Sequence, residues 1–383
     1  MRIGIDARTI LNPDKGEAIG VGHYTYQLIR YLLEIDQENE YVLFFDYRVR
    51  EKDVKKFSKP NVKIKFYPFS DYKKFLPGAY NEILGAATLA KENLDVVHTT
   101  SPMSRIPASY RGKTIVTINN VAAYKTPDAF PKLSVMKHKT MLNFMVSKAN
   151  KVIAVSQSIK KDLKDALNCP EEKVSVIYSG FDKRFSENQS AQKEKVMQKF
   201  GLENKKYILF LGTLEPAKNI SRLLEAFKIF KEKGQDYKLV LAGKNGWLSA
   251  EYRQMVKDLE IENDVVFTGY VVGDEIGSLF AGADFFILPS LYEGFGTTVL
   301  EAFASGTPAI VSNVSSIPEI AGDAAEFVNP LDAQNIADAM LKLAGDENLK
   351  QVLRGKGKKQ VENFNWEKCA RETLEVYKSF EKK

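Results

Sequence analysis

The sequence predicts an α/β protein built from two doubly wound parallel-sheet domains. Short β-branched runs alternate with longer stretches of helical period in both halves of the chain, and strands that alternate with helices form parallel sheets covered on both faces. The 383 residues, 44% of them hydrophobic, suffice for two or three ordinary cores at about 150 residues per domain. A polar stretch at residues 182–206 separates the two series.

The first series supplies the amino-terminal domain. Its candidate strands are residues 2–7, 41–46, 62–67, 95–98, 114–118 and 152–155. Apolar residues recur at helical spacing within residues 22–35 and 133–145, which predicts amphipathic helices there. His98 ends the fourth candidate strand, and the sequence leaves open whether it is a core residue or a site residue.

The second series begins after residues 182–206, whose composition predicts an interdomain linker. Its candidate strands are 207–211, 238–242, 265–268, 285–288 and 309–311, and its candidate helices are 222–230, 252–259 and 298–305. Residues 366–380 predict a further amphipathic helix. The predicted domains are therefore 1–181 and 207–365, with 366–383 as a carboxyl-terminal helix. Ligands of doubly wound domains lie beyond the carboxyl ends of the strands, so the cleft between the domains is the expected site.

Composition excludes several classes of protein. The net charge of +6 is too small a surplus for a dedicated nucleic-acid binder. Cys169 and Cys369 rule out a disulfide framework and suit a reducing compartment. The first residues, MRIGIDAR, enter a strand directly, and no apolar run approaches about 18 residues. We therefore expect a cytoplasmic chain that neither crosses a membrane nor carries an export signal.

One segment of the second domain has the pattern of a ligand site. Residues 289–302, PSLYEGFGTTVLEA, follow the buried strand ADFFIL. Glycines between a strand and a helix expose backbone N–H groups, and the helix dipole adds positive potential, which favours an anion. Glu293 and Glu301 are eight residues apart in this segment. A bare Glu pair is more often a helix-start acid and a solvated helix residue.

Several motifs together resemble glycosyltransferase family 4. Residues 289–302 resemble its E-x(7)-E element, residues 212–219 (GTLEPAKN) its phosphate element, and residues 20–24 (GVGHY) its glycine loop. Residues 176–182 and 312–319 also match. The resemblance implies the GT-B fold, in which two Rossmann-like domains face each other across a cleft and the carboxyl-terminal helix returns to the first domain.

The resemblance also implies an activity, the retaining transfer of a hexose from a nucleotide-diphosphate sugar to a glycan or lipid-linked acceptor. Mannose from GDP-mannose is expected first, with a UDP-sugar as the alternative donor, and no other cofactor. The implied catalytic residues are Glu293, Lys218 and Asn119. The implied donor-binding residues are Gly20, Gly22, Thr213, Lys218, Gly243, Tyr270, Val271, Glu293, Gly294, Phe295, Gly296, Thr297 and Glu301.

Two departures from the family pattern bear on catalysis. Asn119-Asn120 stand where the family usually has His-Asp, and Ala217 replaces an arginine beside Lys218. Asparagine cannot exchange a proton near neutral pH. The chain is therefore a slow transferase, a transferase with altered donor choice, or an impaired one. A nucleotide-sugar or glycan binding protein and a nucleotide-sugar epimerase remain as alternatives, although an epimerase needs acid/base residues that the Asn pair does not supply.

No D-x-D triplet and no metal-ligand spacing occurs in the chain. We therefore expect no catalytic metal, and we expect Lys218, backbone N–H groups and a helix dipole to meet the charge of the diphosphate.

Two basic runs predict a surface on the acceptor side. Six lysines between residues 125 and 151 are interleaved with apolar residues, with Asp128 as the only acid, and a second run covers residues 52–65 and continues into Tyr72, Lys73, Lys74, Phe75 and Leu76. Such a surface suits docking on anionic lipid at the inner face of a membrane. The alternative is that the apolar residues belong to the core and the lysines to solvated helix faces.

Overall fold

The chain folds into two compact α/β units, seen in a computed structural model that describes residues 1–11, 20–67, 81–186, 190–271 and 273–381. The first unit comprises Met1–Tyr124, Leu133–Gly180 and Asn365–Lys383. The second comprises Lys125–Lys132 and Phe181–Phe364. The short segment Lys125–Lys132 thus belongs to the second unit, where the indole Nε1 of Trp247 donates a hydrogen bond of 3.3 Å to the carbonyl oxygen of Ala129.

The first unit is built on a parallel sheet with the strand order β3-β2-β1-β4-β5-β6-β7. Its strands are β1 Arg2–Asp6, β2 Glu40–Asp46, β3 Val62–Tyr67, β4 Val96–Thr99, β5 Lys113–Ile118, β6 Lys151–Ala154 and β7 Val174–Val176. Helices along this half of the chain are α1 Gly20–Ile35, α2 Glu51–Val54, α3 Ala86–Lys91, α4 Ala122–Lys125, α5 Lys132–Lys148 and α6 Gln157–Leu167.

The second unit is built on a parallel sheet with the order β10-β9-β8-β11-β12-β13. Its strands are β8 Tyr207–Leu211, β9 Lys238–Ala242, β10 Val265–Gly269, β11 Phe285–Leu288, β12 Ala309–Ser312 and β13 Glu326–Val328. Its helices are α7 Ser190–Phe200, α8 Ile220–Glu232, α9 Ser249–Asp258, α10 Asp274–Gly282, α11 Thr297–Ala304, α12 Ile317–Ala321, α13 Ala333–Gly345 and α14 Glu347–Val361. The predicted α/β class with two doubly wound sheets is confirmed.

The last helix, α15 (Trp366–Lys378), packs on α1 in the first unit. The indole of Trp366 makes edge contacts with Tyr24 and His23, at 5.6 and 6.1 Å between ring centroids. Aromatic pairs prefer this geometry, in which a ring edge meets a ring face. The expected return of the carboxyl-terminal helix is therefore confirmed.

His98 is a core residue, which decides the alternative that the sequence left open. It is fully buried, its Nδ1 lies 2.7 Å from the hydroxyl of Tyr377 on α15, and its Nε2 lies 2.8 Å from the hydroxyl of Thr117. Both ring nitrogens are thus occupied. Burial lowers the pKa of His98 to about 3, because the charged imidazolium is disfavoured away from water.

Residues 182–206, which the composition predicts to be an interdomain linker, belong to the second unit. They contain the short turn Lys183–Ser186 and the helix α7, which packs on α10. Val196 and Met197 on α7 are buried, as is Leu202 just after it. These few apolar residues are enough to hold a helix on a neighbour, although they are too few to stand out in a polar segment.

Other elements escaped the sequence analysis. The edge strands β7 and β13 have three residues each, which is too short for an alternation of apolar and polar residues to be recognised. Eight further helices of the described residues were not predicted either, namely the short α2, α3, α4 and α12 and the longer α6, α10, α13 and α14. Three of them begin at a capping side chain: Ser156, Asp332 and Asp346 accept hydrogen bonds from backbone N–H groups of α6, α13 and α14, a signal that the sequence does contain.

Three lysines of the second basic run, residues 52–65, make contacts within the first unit. The ammonium groups of Lys63 and Lys65 lie 2.7 and 3.4 Å from the carboxylate of buried Glu92, and Lys59 donates to the carbonyl oxygen of Leu33 near the end of α1. The lysines and aromatic residues of 72–76 lie outside the described residues. The contacts of Lys59, Lys63 and Lys65 are therefore explained by the fold of the first unit.

We predict that His98 makes stability depend on pH between about 6.5 and 3. The unfolded imidazole binds a proton below about pH 6.5 while the folded one stays neutral until about pH 3, so stability falls as pH falls through this window. His98 should lower the free energy of unfolding by about 2 kcal/mol between neutral pH and pH 5. Urea titrations should show it for the wild type, and a smaller slope for His98→Gln.

The exposed His138→Gln variant is the control, and its slope should match the wild type. Equal slopes for the wild type and His98→Gln would contradict the prediction.

Candidate functional site

The residues of interest in the second unit lie at the carboxyl edge of its sheet. The loops at 212–219, 243–248, 289–296 and 313–316 follow β8, β9, β11 and β12. Parallel strands end at the same edge, so segments about a hundred residues apart come together there. This edge is where doubly wound domains bind ligands.

Lys218 and Glu293 form an ion pair at this edge. The Lys218 ammonium lies 2.6 Å from the Glu293 Oε1, and their side chains are 20% and 11% exposed. The hydroxyl of Ser290 donates to the same Oε1 at 2.7 Å. Lys218 lies in the short turn Pro216–Lys218 just before α8.

The backbone of Glu293 is held by the loop after β12. Its N–H donates to the hydroxyl of Ser315 at 2.9 Å, and its carbonyl oxygen accepts from the hydroxyl of Ser316 at 3.0 Å. Both serines belong to the matched segment 312–319, whose role the sequence alone did not disclose. Glu293 is therefore fixed by side-chain and main-chain contacts before any ligand arrives.

Asn219 connects the loop after β8 to two other loops. Its side-chain amide donates to the carbonyl oxygens of Pro289 and Pro330, at 3.0 and 2.6 Å. The N–H of Leu291 donates to the carbonyl oxygen of Ala217, whose side chain is buried. The two loops that carry Lys218 and Glu293 are thus hydrogen-bonded directly to each other.

Gly243 allows the loops after β8 and β9 to approach. Its φ is +146°, and a Cβ atom there would lie 1.8 Å from the carbonyl oxygen of Gly212, so only glycine fits. Thr213 follows Gly212 in the loop after β8 and is half-buried. Further along this edge Tyr270 is exposed, with the Lys244 ammonium 4.6 Å from its ring centroid, whereas Val271 is buried.

The helix α11 starts in the glycine segment. Gly294, Phe295 and Gly296 are buried, and Gly296 has a φ of +95° where its Cβ would lie 2.7 Å from Ile317. Thr297 is the first helical residue. The first N–H groups of a helix have no intrahelical partner and carry positive potential, so this start suits an anionic group.

Glu301 lies one turn into α11 and is half-buried. Burial raises the pKa of Glu301 to about 8, with the nearby Asp182 adding to the rise and Arg184 opposing it. Asp182 is buried and accepts from the guanidinium of Arg184 at 2.6 and 2.9 Å. Asp182 closes the matched segment 176–182, and the sequence analysis assigned it to the linker rather than to the surroundings of Glu301.

Glu215 is a further carboxyl group that the sequence analysis quoted without a role. It is half-buried, and its pKa is raised by burial and by Glu293 while Lys218 lowers it. Two carboxyl groups therefore influence one another around the ammonium group of Lys218.

The sheet of the first unit has a carboxyl edge of its own. Gly20 and Gly22 lie in the first turn of α1, where Gly20 is exposed with a φ of +68°, and residues 12–19 before it lie outside the described part of the chain. Asn119 follows β5, and its side-chain amide donates to the carbonyl oxygen of Thr100 at 2.8 Å. Asn120 accepts from the N–H of Ala122 at 2.5 Å, as a turn-closing asparagine does.

Within the described ranges, no group of three or more His, Cys, Asp and Glu side chains is arranged to hold a metal ion. Among the helices described, none has the length and apolar character needed to cross a membrane.

Family models match both halves of the chain. Residues 19–185 match the model described as Glycosyltransferase Family 4, and residues 192–360 match the model described as Glycosyl transferases group 1. The chain belongs to glycosyltransferase family 4. The resemblance inferred from its motifs is confirmed, and the chain is a glycosyltransferase.

One sequence relative and two solved structures are similar to the chain over nearly its whole length. This family 4 glycosyltransferase is 27% identical over 373 residues to the O-antigen chain mannosyltransferase B of Escherichia coli, covering 96% of this chain and 97% of that one. It superposes on sucrose-phosphate synthase from Thermosynechococcus elongatus with a TM-score of 0.78 and 19% identity, covering 99% and 98% of the two chains. For HepE of Anabaena in complex with UDP and glucose the TM-score is 0.76 at 18% identity, covering 99% and 100%. The predicted GT-B fold is confirmed.

Proposed function

We propose that this glycosyltransferase transfers a hexose, with mannose as the first candidate, from a nucleotide-diphosphate sugar to a glycan or lipid-linked acceptor. The observation that carries the proposal is the Lys218–Glu293 pair, fixed beside the start of α11 at the carboxyl edge of the second sheet. A cation, a carboxylate and the N–H groups at a helix start are the groups that a diphosphate and sugar hydroxyls require.

Each group has a proposed partner on the donor. Lys218 and the N–H groups of residues 294–297 bind the diphosphate, and Glu293 accepts from hydroxyls of the sugar. Glu301 accepts from the ribose diol. Thr213 binds beside the phosphates, and Gly243, Tyr270 and Val271 line the base pocket. Gly20, Gly22 and Asn119 belong to the first unit, and the family resemblance assigns them to the phosphate and sugar side of the donor.

The proposed reaction retains the configuration of the sugar. The acceptor hydroxyl attacks the anomeric carbon from the face that the diphosphate leaves, the bond from that carbon to the phosphate oxygen breaks, and the acceptor proton passes to the departing phosphate. The products are the glycoside and the nucleoside diphosphate. The protein supplies orientation and charge stabilisation, with Lys218 and the helix start as the groups that stabilise the leaving phosphate, without a catalytic metal.

Relatives guide the choice of donor. The E. coli relative is named a mannosyltransferase, which supports GDP-mannose, and HepE was solved with UDP and glucose, which supports a UDP-sugar. Thermal stabilisation by GDP-mannose, UDP-glucose and UDP-GlcNAc, followed by turnover of whichever binds, tests the proposal. Failure of all three to bind would contradict it.

A non-catalytic nucleotide-sugar binder is the second candidate. It is favoured by Asn119, whose amide already donates to the carbonyl oxygen of Thr100 after β4, and by Asn120, whose amide oxygen accepts from the N–H of Ala122 in its own loop. Binding of a donor without turnover, in the presence of glycan and lipid-linked acceptors, would select it.

Lys218→Ala should weaken nucleotide-diphosphate affinity by about 1–3 kcal/mol, the contribution of a charge-assisted hydrogen bond. Calorimetry with the nucleoside diphosphate measures the change. The matched control is Lys228→Ala, because Lys228 pairs with Glu232 within α8 and lies outside the loops at the carboxyl edge of the sheet. Unchanged affinity in Lys218→Ala would remove Lys218 from the site.

Glu301→Gln should weaken binding of a ribonucleotide donor more than binding of its 2′-deoxy analogue, and more so at higher pH. The raised pKa of Glu301, about 8, means that the carboxylate able to accept from both ribose hydroxyls forms as pH rises from 7 to 9. Wild-type affinity for the ribonucleotide should therefore rise through this range, while Glu301→Gln stays flat. Parallel profiles for ribose and deoxyribose ligands would contradict a contact to the diol.

Asn119→His combined with Asn120→Asp should raise transfer or donor hydrolysis about 10-fold or more, with little change in nucleotide affinity. An imidazole that contacts the sugar mainly in the transition state changes turnover and hardly changes ground-state binding. An aspartate oxygen can still accept from the N–H of Ala122, so the turn is kept. Single-turnover release of nucleotide is the measurement, and Asn120→Asp alone is the control. Equal rates would show that position 119 does not touch the chemistry.

We further propose that α5 docks the enzyme on an anionic lipid surface. The helix contains no acidic residue, and Leu133 and Met136 are 72% and 60% exposed beside the exposed Lys137. Exposed apolar side chains among cations are the composition of an interfacial helix. Such a surface would bring the enzyme to a lipid-linked acceptor.

Lys132→Glu with Lys137→Glu should reduce binding to phosphatidylglycerol-containing vesicles by about 10-fold or more, at about 1 kcal/mol per cation. Co-sedimentation at low and high salt measures it. Lys52→Glu with Lys55→Glu, two exposed lysines of the other basic run, is the control and should bind as the wild type does. Equal binding to neutral and anionic vesicles would contradict the proposal.

A further inference from the structure

The cation and the carboxylate assigned to two different parts of the donor are bonded to each other. Lys218 reaches the Glu293 Oε1 at 2.6 Å, and both side chains are largely buried. Ser290 donates to the same oxygen, and Ser315 and Ser316 hold the backbone of Glu293. The carboxylate cannot simply swing away into water, so any change of partner has to take place at this position.

Neighbouring charges affect how well Glu293 tolerates the loss of Lys218 to a ligand. Glu215 interacts electrostatically with both Lys218 and Glu293, and Tyr252 interacts with Glu215 in turn. If a diphosphate alone took over the ammonium, Glu293 would keep only the hydroxyl of Ser290 while facing a new negative charge. A largely buried carboxylate that loses its cation is strongly destabilised.

We propose that the Lys218–Glu293 pair makes the site select the intact nucleotide-diphosphate sugar over the nucleoside diphosphate. This inference rests on the proposed function. The intact donor exchanges both partners at once, because the diphosphate takes Lys218 while sugar hydroxyls donate to Glu293. The nucleoside diphosphate satisfies only Lys218, so it binds less tightly than its contacts alone would allow. After transfer, the same imbalance favours release of the spent nucleotide.

The test is the dissociation constant of the nucleoside diphosphate divided by that of the nucleotide sugar. Both constants are measured by calorimetry. The ligands are GDP and GDP-mannose, or UDP and UDP-glucose, according to which donor binds in the screen. Glu293→Gln keeps the size of the side chain and an acceptor oxygen for Lys218 and Ser290, but it removes the charge that competes for the ammonium. We expect the nucleoside diphosphate to bind at least 3-fold tighter to this variant, the nucleotide sugar to bind more weakly, and the ratio to fall at least 10-fold.

Glu215→Gln is the matched control. It removes the charge of a neighbouring carboxyl group while leaving the bond between Lys218 and Glu293 in place, so it should change the affinity for both ligands by the same factor and leave the ratio unchanged. A ratio that falls as far in Glu215→Gln as in Glu293→Gln would overturn the inference, because the effect would then come from net charge. An unchanged ratio in Glu293→Gln would also overturn it.

Lys218→Ala separates failure of this inference from failure of the proposed function. If Lys218→Ala loses nucleotide affinity while Glu293→Gln leaves the ratio unchanged, the donor site stands and the partner exchange is wrong. If the wild type binds none of these ligands, the proposed function itself is wrong. When Glu293→Gln is added to Lys218→Ala, it should no longer tighten binding of the nucleoside diphosphate. The ammonium group that Glu293→Gln would free from its carboxylate partner is absent from this double variant.

Discussion

The bond between Lys218 and Glu293 joins two loops that lie 75 residues apart in the chain, and the carboxyl edge of the second sheet is organised around it. Each loop is braced separately. Asn219 ties the first loop to Pro289 and Pro330, and two serines after β12 hold the second. An ion pair that is largely buried is stabilising only when its geometry is fixed in this way. The site is therefore preorganised, and a ligand meets a cation and a carboxylate already in position.

Burial gives the acidic groups of this edge unequal properties. Glu293 is neutralised by a lysine, whereas Glu301 is raised to a pKa of about 8 by burial next to Asp182. The two carboxyl groups of one sequence motif are thus prepared for different partners. A carboxyl group near its own pKa at physiological pH responds to small changes in its surroundings, so the salt bridge between Arg184 and Asp182 bears on how Glu301 ionises.

The first unit depends on the last helix of the chain. His98 on β4 and Tyr377 on α15 are 279 residues apart and share a buried hydrogen bond. Trp366 packs beside α1 in the same interface. Because both ring nitrogens of His98 have partners only when α15 is in place, the carboxyl-terminal helix is part of the core of the first unit. The two ends of the sequence therefore stabilise the same domain.

Local pattern determined much of this protein. Alternating strands and helices predicted both sheets, because a buried parallel strand must be apolar whatever it pairs with. The motifs predicted the family, and they named Lys218, Glu293 and Glu301 as candidate site residues.

Tertiary structure decided what depends on neighbours far away in the chain. It showed that residues 182–206 hold a helix, since Val196 and Met197 find an apolar surface that the segment itself does not contain. It placed His98 in the core and gave Lys59, Lys63 and Lys65 partners in the first unit. It also bonded Lys218 to Glu293 and set Asp182 near Glu301. Burial and charge pairing depend on distances in space, and a sequence specifies those distances only through the completed fold.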